Sequence, residues 1–202
     1  MTPIPVQREI HHRVVLENAM VKVLSVRLPA GEVMSLHGHP VDHLAVVIEG
    51  AKLRNEVEGQ APVEHYTGDP GTVIFLPAGP PHLQANIDTH AAWWVGVELV
   101  GLPGAAVGPS IRVGPHYQSA LDGPRVQAAN LVLAPGERVD RFPFPPPFLQ
   151  ISITPGDLEV TREHGTARTT LYAGAPTWEN ERIRTIINRG DRPLQLVFVR
   201  IK

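Results

Sequence analysis

The sequence predicts an all-β chain folded as two like barrels in tandem. Apolar runs of strand length recur through all 202 residues, and no stretch carries a convincing long helical period. Proline (21) and glycine (18) are plentiful, while aromatic content is only 5%. That profile suits many short strands joined by tight turns more than it suits helices. The second half of the chain also echoes the first.

The elements follow from local pattern. In residues 22–28, Leu24, Val26 and Leu28 share one face, with Ser25 and Arg27 on the other. Val46, Val47 and Ile48 run into Glu49-Gly50, residues 73–76 stop at Pro77, and residues 93–99 form a further apolar run. Residues 101–123 are rich in Gly and Pro and read as a linker, with a short strand at 111–113. Beyond them, Leu28-Pro29-Ala30-Gly31-Glu32 returns as Leu133-Ala134-Pro135-Gly136-Glu137, and Ala85-Asn86 as Ile187-Asn188. The closing run at 94–99 returns at 195–200. The predicted domains are therefore 1–103 and 124–202, joined by a linker at 104–123.

Composition excludes several functions. A net charge of −2 with scattered Lys and Arg recommends neither a nucleic-acid nor a membrane surface. With no Cys there is neither a disulfide framework nor thiolate chemistry. The N-terminus lacks the blocks of a signal peptide, and no apolar run is long enough to span a bilayer. The expectation is a soluble, cytoplasmic protein, monomer or homodimer.

Histidine spacing carries the chemistry. His37, His39 and His43 follow Gly31, and His82 follows Gly71-x5-Pro77-x-Gly79. Strand side chains alternate faces, so His37 and His39 point the same way and His43 lies an even step further on. His82 can join from a neighbouring strand if the sheet curls into a barrel. Four neutral imidazoles converging there suit a divalent transition metal such as Fe, Mn, Ni, Co or Zn.

Gly31-x5-His37-x-His39-x3-His43-x6-Gly50 resembles the first motif of the cupin family. Gly71-x5-Pro77-x-Gly79-x2-His82-x3-Asn86 resembles the second at every defining position. The resemblance implies double-stranded β-helix (jelly-roll) barrels. It also implies one metal ion per chain, held by the two His of the first motif, its acidic residue and the His of the second. It carries over to His37, His39 and His82. His43 departs from it, standing where most members have Glu, and the implied site is a four-histidine one. Because the resemblance covers nearly the whole chain, strongly in the first half and weakly in the second, it implies a two-domain bicupin.

The second copy is blank. Laying Gly136 on Gly31 puts Phe142 on His37, Phe144 on His39 and Phe148 or Leu149 on His43; laying Asn188 on Asn86 puts Arg184 on His82. None of these binds a metal. The second barrel is expected to be degenerate, its polar centre replaced by aromatic packing in preference to an apolar ligand pocket anchored by Arg184. Glu179 and Glu181 are ordinary ion-pair partners for Arg184.

Replacing Glu by a neutral imidazole leaves a divalent site with two net positive charges instead of one. That favours an anionic, chelating small molecule such as an enolate, a β-dicarbonyl or a carboxylate. Gln84 shares parity with His82 and is the candidate substrate-binding residue; no catalytic acid or base is identified. Ala45 and Val47 share parity with His43 and leave room above the metal. Glu98, Trp93 and Trp94 lie on a wall strand, either as core or as contacts. Asn86 secures a turn. Asp42 points away from the metal, where it can serve as an acceptor for a ligand imidazole. His11, His12, His65, His90, His116 and His164 show no ligand spacing and are read as surface residues.

The function adopted is a metal-dependent enzyme, with a dioxygenase acting on a small enolisable, dicarbonyl or carboxylate compound placed first. A redox-neutral isomerase, lyase or cyclase comes next, and a non-catalytic metabolite-binding protein after that. Fold analogy alone does not separate them.

Overall fold

The apolar runs become strands. A computed structural model describes residues 2–101 and 117–202, and within them the only helical piece is a 3-10 turn at Val6–Arg8. The chain divides into two units, Met1–Leu102 and Pro103–Lys202. No helix among the described residues is long and apolar enough to cross a membrane.

The first unit holds β1 (Ile4–Pro5), β2 (His12–Glu17), β3 (Lys22–Leu28), β4 (His37–Gly38) and β5 (His43–Glu49). It continues with β6 (Lys52–Val57), β7 (Val63–Tyr66), β8 (Val73–Leu76), β9 (His82–Asn86) and β10 (Ala92–Glu98). They form two five-stranded sheets, ordered β1-β4-β9-β6-β7 and β2-β3-β10-β5-β8. Sequence neighbours are repeatedly split between the sheets, which is the mark of a jelly roll.

The second unit holds β11 (Tyr117–Asp122), β12 (Val126–Leu133), β13 (Arg138–Asp140), β14 (Phe148–Ser152) and β15 (Gly156–Arg162). β16 (Gly165–Leu171), β17 (Pro176–Glu179), β18 (Ile183–Asn188) and β19 (Leu194–Ile201) complete it. Its sheets run β11-β12-β19-β14-β17 and β13-β18-β15-β16. Strand by strand this is the order of the first unit; among the described residues β1 has no counterpart.

The repeat extends to single hydrogen bonds. Gly31 and Gly136 both sit at positive φ, 76° and 74°, a conformation that favours glycine. Their amides donate to the carbonyls of Asn86 and Asn188, at 3.0 and 2.9 Å. The Asn86 side-chain amide donates to the Leu28 and His90 carbonyls; that of Asn188 donates to the Leu133 and Arg192 carbonyls. Asn86 thus secures a turn, as its position in the repeat requires.

Two expectations change. Tyr117–Asp122 is a strand, paired with β12, so linker composition stops short of residue 123. The reason lies in Tyr-Gln-Ser-Ala-Leu-Asp, a stretch with neither Gly nor Pro. The strand expected at 111–113, like His116, lies outside the described residues. Arg184 faces solvent and pairs with Glu163 at 3.3 Å, while Glu179 pairs with Arg162. Arg184 therefore anchors nothing inside the second barrel. There, Phe142, Phe144 and Phe148 are buried with Phe198 and Tyr117 in one aromatic core.

Candidate metal centre

Strand alternation turns one face of each sheet of the first unit inward. β5 contributes His43, Ala45 and Val47, β10 contributes Trp94 and Gly96, and β9 contributes His82 and Gln84 to the lining of one cavity of about 380 Å³. Leu24, Val26, Leu53, Val57, Ile74 and Leu76 make its walls predominantly apolar, with Asn55, His65 and Thr67 as further polar points. Neither Lys, Arg, Asp nor Glu is among its described lining residues. The small residues Ala45 and Gly96 leave this space open.

The four motif histidines gather here. The His37 and His82 ring centroids lie 4.7 Å apart, those of His39 and His82 5.9 Å, and those of His39 and His43 4.0 Å. His12, from β2, joins them, 4.9 Å from His37 and 6.0 Å from His39. It is buried, which overturns its reading as a surface residue. His12 opens β2 opposite the inward-facing Val26, and the sheet carries it under the barrel wall. One ring nitrogen from each of His12, His37 and His39 lies within 4.8 Å of the other two.

The outer nitrogens of these rings are held. His12 Nδ1 meets Glu9 Oε2 at 3.0 Å, His37 Nδ1 meets the Ser35 carbonyl at 2.8 Å, and His39 Nδ1 meets Glu98 Oε1 at 3.2 Å. Because those acceptors take the Nδ1 proton, each Nε2 is left bare as a potential ligand. Glu98, on the inward face of β10, is thus an orienting carboxylate and not a rim residue. His43 Nδ1 is buried without a hydrogen-bond partner; the Val41 carbonyl favours its charged form without completing a bond.

Burial sets the protonation states. It pulls the pKa of His12, His37 and His82 down to about 4 and that of His43 to about 3. These imidazoles are neutral at pH 7, with lone pairs free to bind. Burial alone would push Glu9 up. Hydrogen bonds from His12, His11 and the Ser35 amide outweigh it and hold Glu9 at about 2. For His11, burial works against protonation, but Glu32 and Glu9 raise its pKa overall. His11 is also largely enclosed, bridging those two carboxylates at 3.0 and 2.8 Å. His65 lines the cavity, whereas His90 and His164 are exposed.

A cluster of bare imidazole nitrogens is unfavourable unless something electrophilic sits among them. An all-nitrogen donor set suits a first-row transition ion. The residues present therefore fit a metal. His12 lies outside both motif spacings. Its signal was the repeat itself, since the shift that carries His37, His39 and His43 onto three Phe carries His12 onto Tyr117.

Solved structures share this architecture. YhaK from Escherichia coli matches with a TM-score of 0.64 at 16% identity, over 97% of this chain and 94% of that one. A cupin 2 conserved barrel domain protein from Leptotrichia buccalis gives 0.55 at 10% identity, over 95% and 88%. The chain has the cupin fold. Oxalate decarboxylase of Bacillus subtilis, a protein with Mn(II) centres, matches this chain with a TM-score of 0.58 at 15% identity, over 90% of this chain and 69% of that one. At these identities the likeness is one of fold. No protein-family model matches the sequence, and no curated protein does so either.

Proposed function

We propose that the chain is a metal-dependent bicupin enzyme. Its first barrel would hold one divalent transition ion among His37, His39, His43 and His82, and its second would serve as a metal-free scaffold. One observation carries the reading: imidazoles converge beside a cavity whose other walls are predominantly apolar. The substrate class follows from that contrast. With no fixed cation in the lining, an anionic chelating head would find its counter-charge only at a metal, and the rest of the molecule would meet hydrocarbon. An enolisable or dicarbonyl compound with an apolar body fits this better than a small dicarboxylate.

A bound ion would supply Lewis acidity and, in a redox-active metal, electrons for O2. The protein's own part is to orient imidazoles through Glu9, Ser35 and Glu98, to exclude water, and to offer Gln84 as a neutral hydrogen-bonding group. Because neither a carboxylate nor a lysine is among the described lining residues, a reaction that leans on a protein base has little support. Oxygen-dependent carbon–carbon cleavage, the dioxygenase reading, fits this lining for a compound that arrives as its enolate, its proton already released to solvent. The oxalate decarboxylase likeness keeps a redox-neutral cleavage as the second reading. In either case the chain would act as a monomer or homodimer.

The test is metal analysis of protein purified without added metal, then an oxygen-uptake screen over dicarbonyl and phenolic compounds. Turnover with oxygen consumption supports the dioxygenase, and turnover under argon supports the redox-neutral reading. A metal-free protein that stays inactive after metal is supplied would end both.

A further inference from the structure

We infer that His12 is itself a metal ligand, a fifth imidazole supplied from outside both motif segments and aimed by buried Glu9. This rests on the metal-centre reading above and goes beyond its motif ligands. Ring orientation is the first argument. An ion bound to imidazole lies near the ring plane, along the nitrogen lone pair, so rings whose planes cross can direct their lone pairs to one point. The rings of His12, His37 and His39 cross at 61°, 73° and 56°. His39 lies nearly parallel to both His43, stacked at 4.0 Å with planes 18° apart, and His82, 5.9 Å away with planes 19° apart. In this arrangement His12 completes a set of three crossing rings with His37 and His39.

Glu9 is the second argument. Its carboxylate is fully enclosed, a costly place for a charge unless it organises something. It accepts from His12 Nδ1 at 3.0 Å, from the His11 amide at 2.7 Å and from the Ser35 amide at 3.3 Å. The Ser35 carbonyl in turn takes His37 Nδ1. One carboxylate thereby fixes two of the three converging rings. A histidine kept only for packing would have its second nitrogen satisfied. His12 Nε2 makes no hydrogen bond among the described residues, and His12 borders the cavity.

The experiment uses the full chain, stripped with chelator, labelled with 15N-histidine and titrated with Zn(II) alone. Long-range 1H–15N spectra should show Nε2 of His12 shifting in step with those of His37 and His39. In parallel, Glu9→Gln should weaken zinc binding about 10–100-fold, as loss of a carboxylate behind a ligand imidazole does, with His12→Asn weaker still. If His12 stays unmoved while His37 and His39 shift, His12 is a packing residue and this inference falls alone. If no imidazole shifts and no zinc binds, the metal centre itself is refuted. The parent spectrum decides even where a variant fails to fold.

Discussion

His12 and Tyr117 hold one position in two copies of the same barrel. His12 lies opposite Val26 on β3, and Tyr117 lies opposite Leu131 on β12. Each residue is buried and each meets two later rings of its own copy, His37 and His39 in the first and Phe142 and Phe144 in the second. In the first copy those rings are imidazoles. In the second they are phenyls: Tyr117, Phe142, Phe144, Phe148 and Phe198 sit with centroids 4.9–6.5 Å apart. Phe198 takes the place of Gly96, and Ala129 opposite it takes the place of Leu24. One copy therefore keeps a cavity with nitrogen donors, while the other fills the same volume with carbon.

Truncating that filler should unfold the second unit without touching the metal. Phe144→Ala removes a fully buried ring, a loss of about 3–5 kcal/mol including the cavity left behind. Urea unfolding should show a fall of this size, with zinc stoichiometry in the folded protein unchanged. Lost zinc binding would mean the second unit contributes to the site.

Filling the first cavity should do the reverse. A Cβ on Gly96 would make only ordinary contact with Leu24 and Val26, so the backbone tolerates a side chain there. The pair Gly96→Phe with Leu24→Ala copies Phe198 and Ala129. We expect metal binding to persist and affinity for any organic ligand to fall at least tenfold, read by calorimetry on the zinc-loaded protein.

Acid should destabilise the metal-free protein well before carboxylates titrate. Unfolded histidines protonate near 6.5, whereas folded His12, His37 and His82 wait until about 4 and His43 until about 3. Between those values the unfolded chain binds more protons, so stability is full above about 6.5 and drains as pH falls toward 4. Glu9, held at about 2, extends the loss from about 4.5 downward. His11 acts oppositely, but it is one group against four. Urea midpoints of chelator-treated protein from pH 7 to 4.5 should decline steadily, by several kcal/mol on the order expected for such shifts. A flat profile would contradict the burial of neutral imidazoles.

Much of this was legible in the residues, for physical reasons that differ by element. The strand period exposed β3, β5 and β10, and motif spacing marked His37, His39, His43 and His82, although β4 ends at Gly38 and β5 begins at His43, so pairing between strands and not alternation along one brings these rings together. His12 escaped because its place depends on how β2 pairs with β3, a long-range register that no local spacing encodes. Glu98 escaped for the same reason, since it reaches His39 from a distant strand; Glu9 lies only three residues before His12 and went unread because His12 did. The aromatic second core was readable once Gly136 was laid on Gly31.

The charge argument is tested at position 43. His43→Glu introduces a carboxylate beside His39, whose ring lies 4.0 Å from that of His43. A negative charge there lowers the attraction of a bound ion for a second anion, whether or not the carboxylate itself coordinates. Zinc stoichiometry should survive, because His12, His37, His39 and His82 remain. Affinity for a β-dicarbonyl enolate should fall at least tenfold, while a neutral analogue of the same shape should bind nearly as before. His82→Ala is the control, expected to weaken zinc itself because it removes a donor without supplying another. Equal enolate affinity in His43→Glu and the parent would show that charge at the centre does not select the ligand, and the anionic chelating substrate would lose its physical basis.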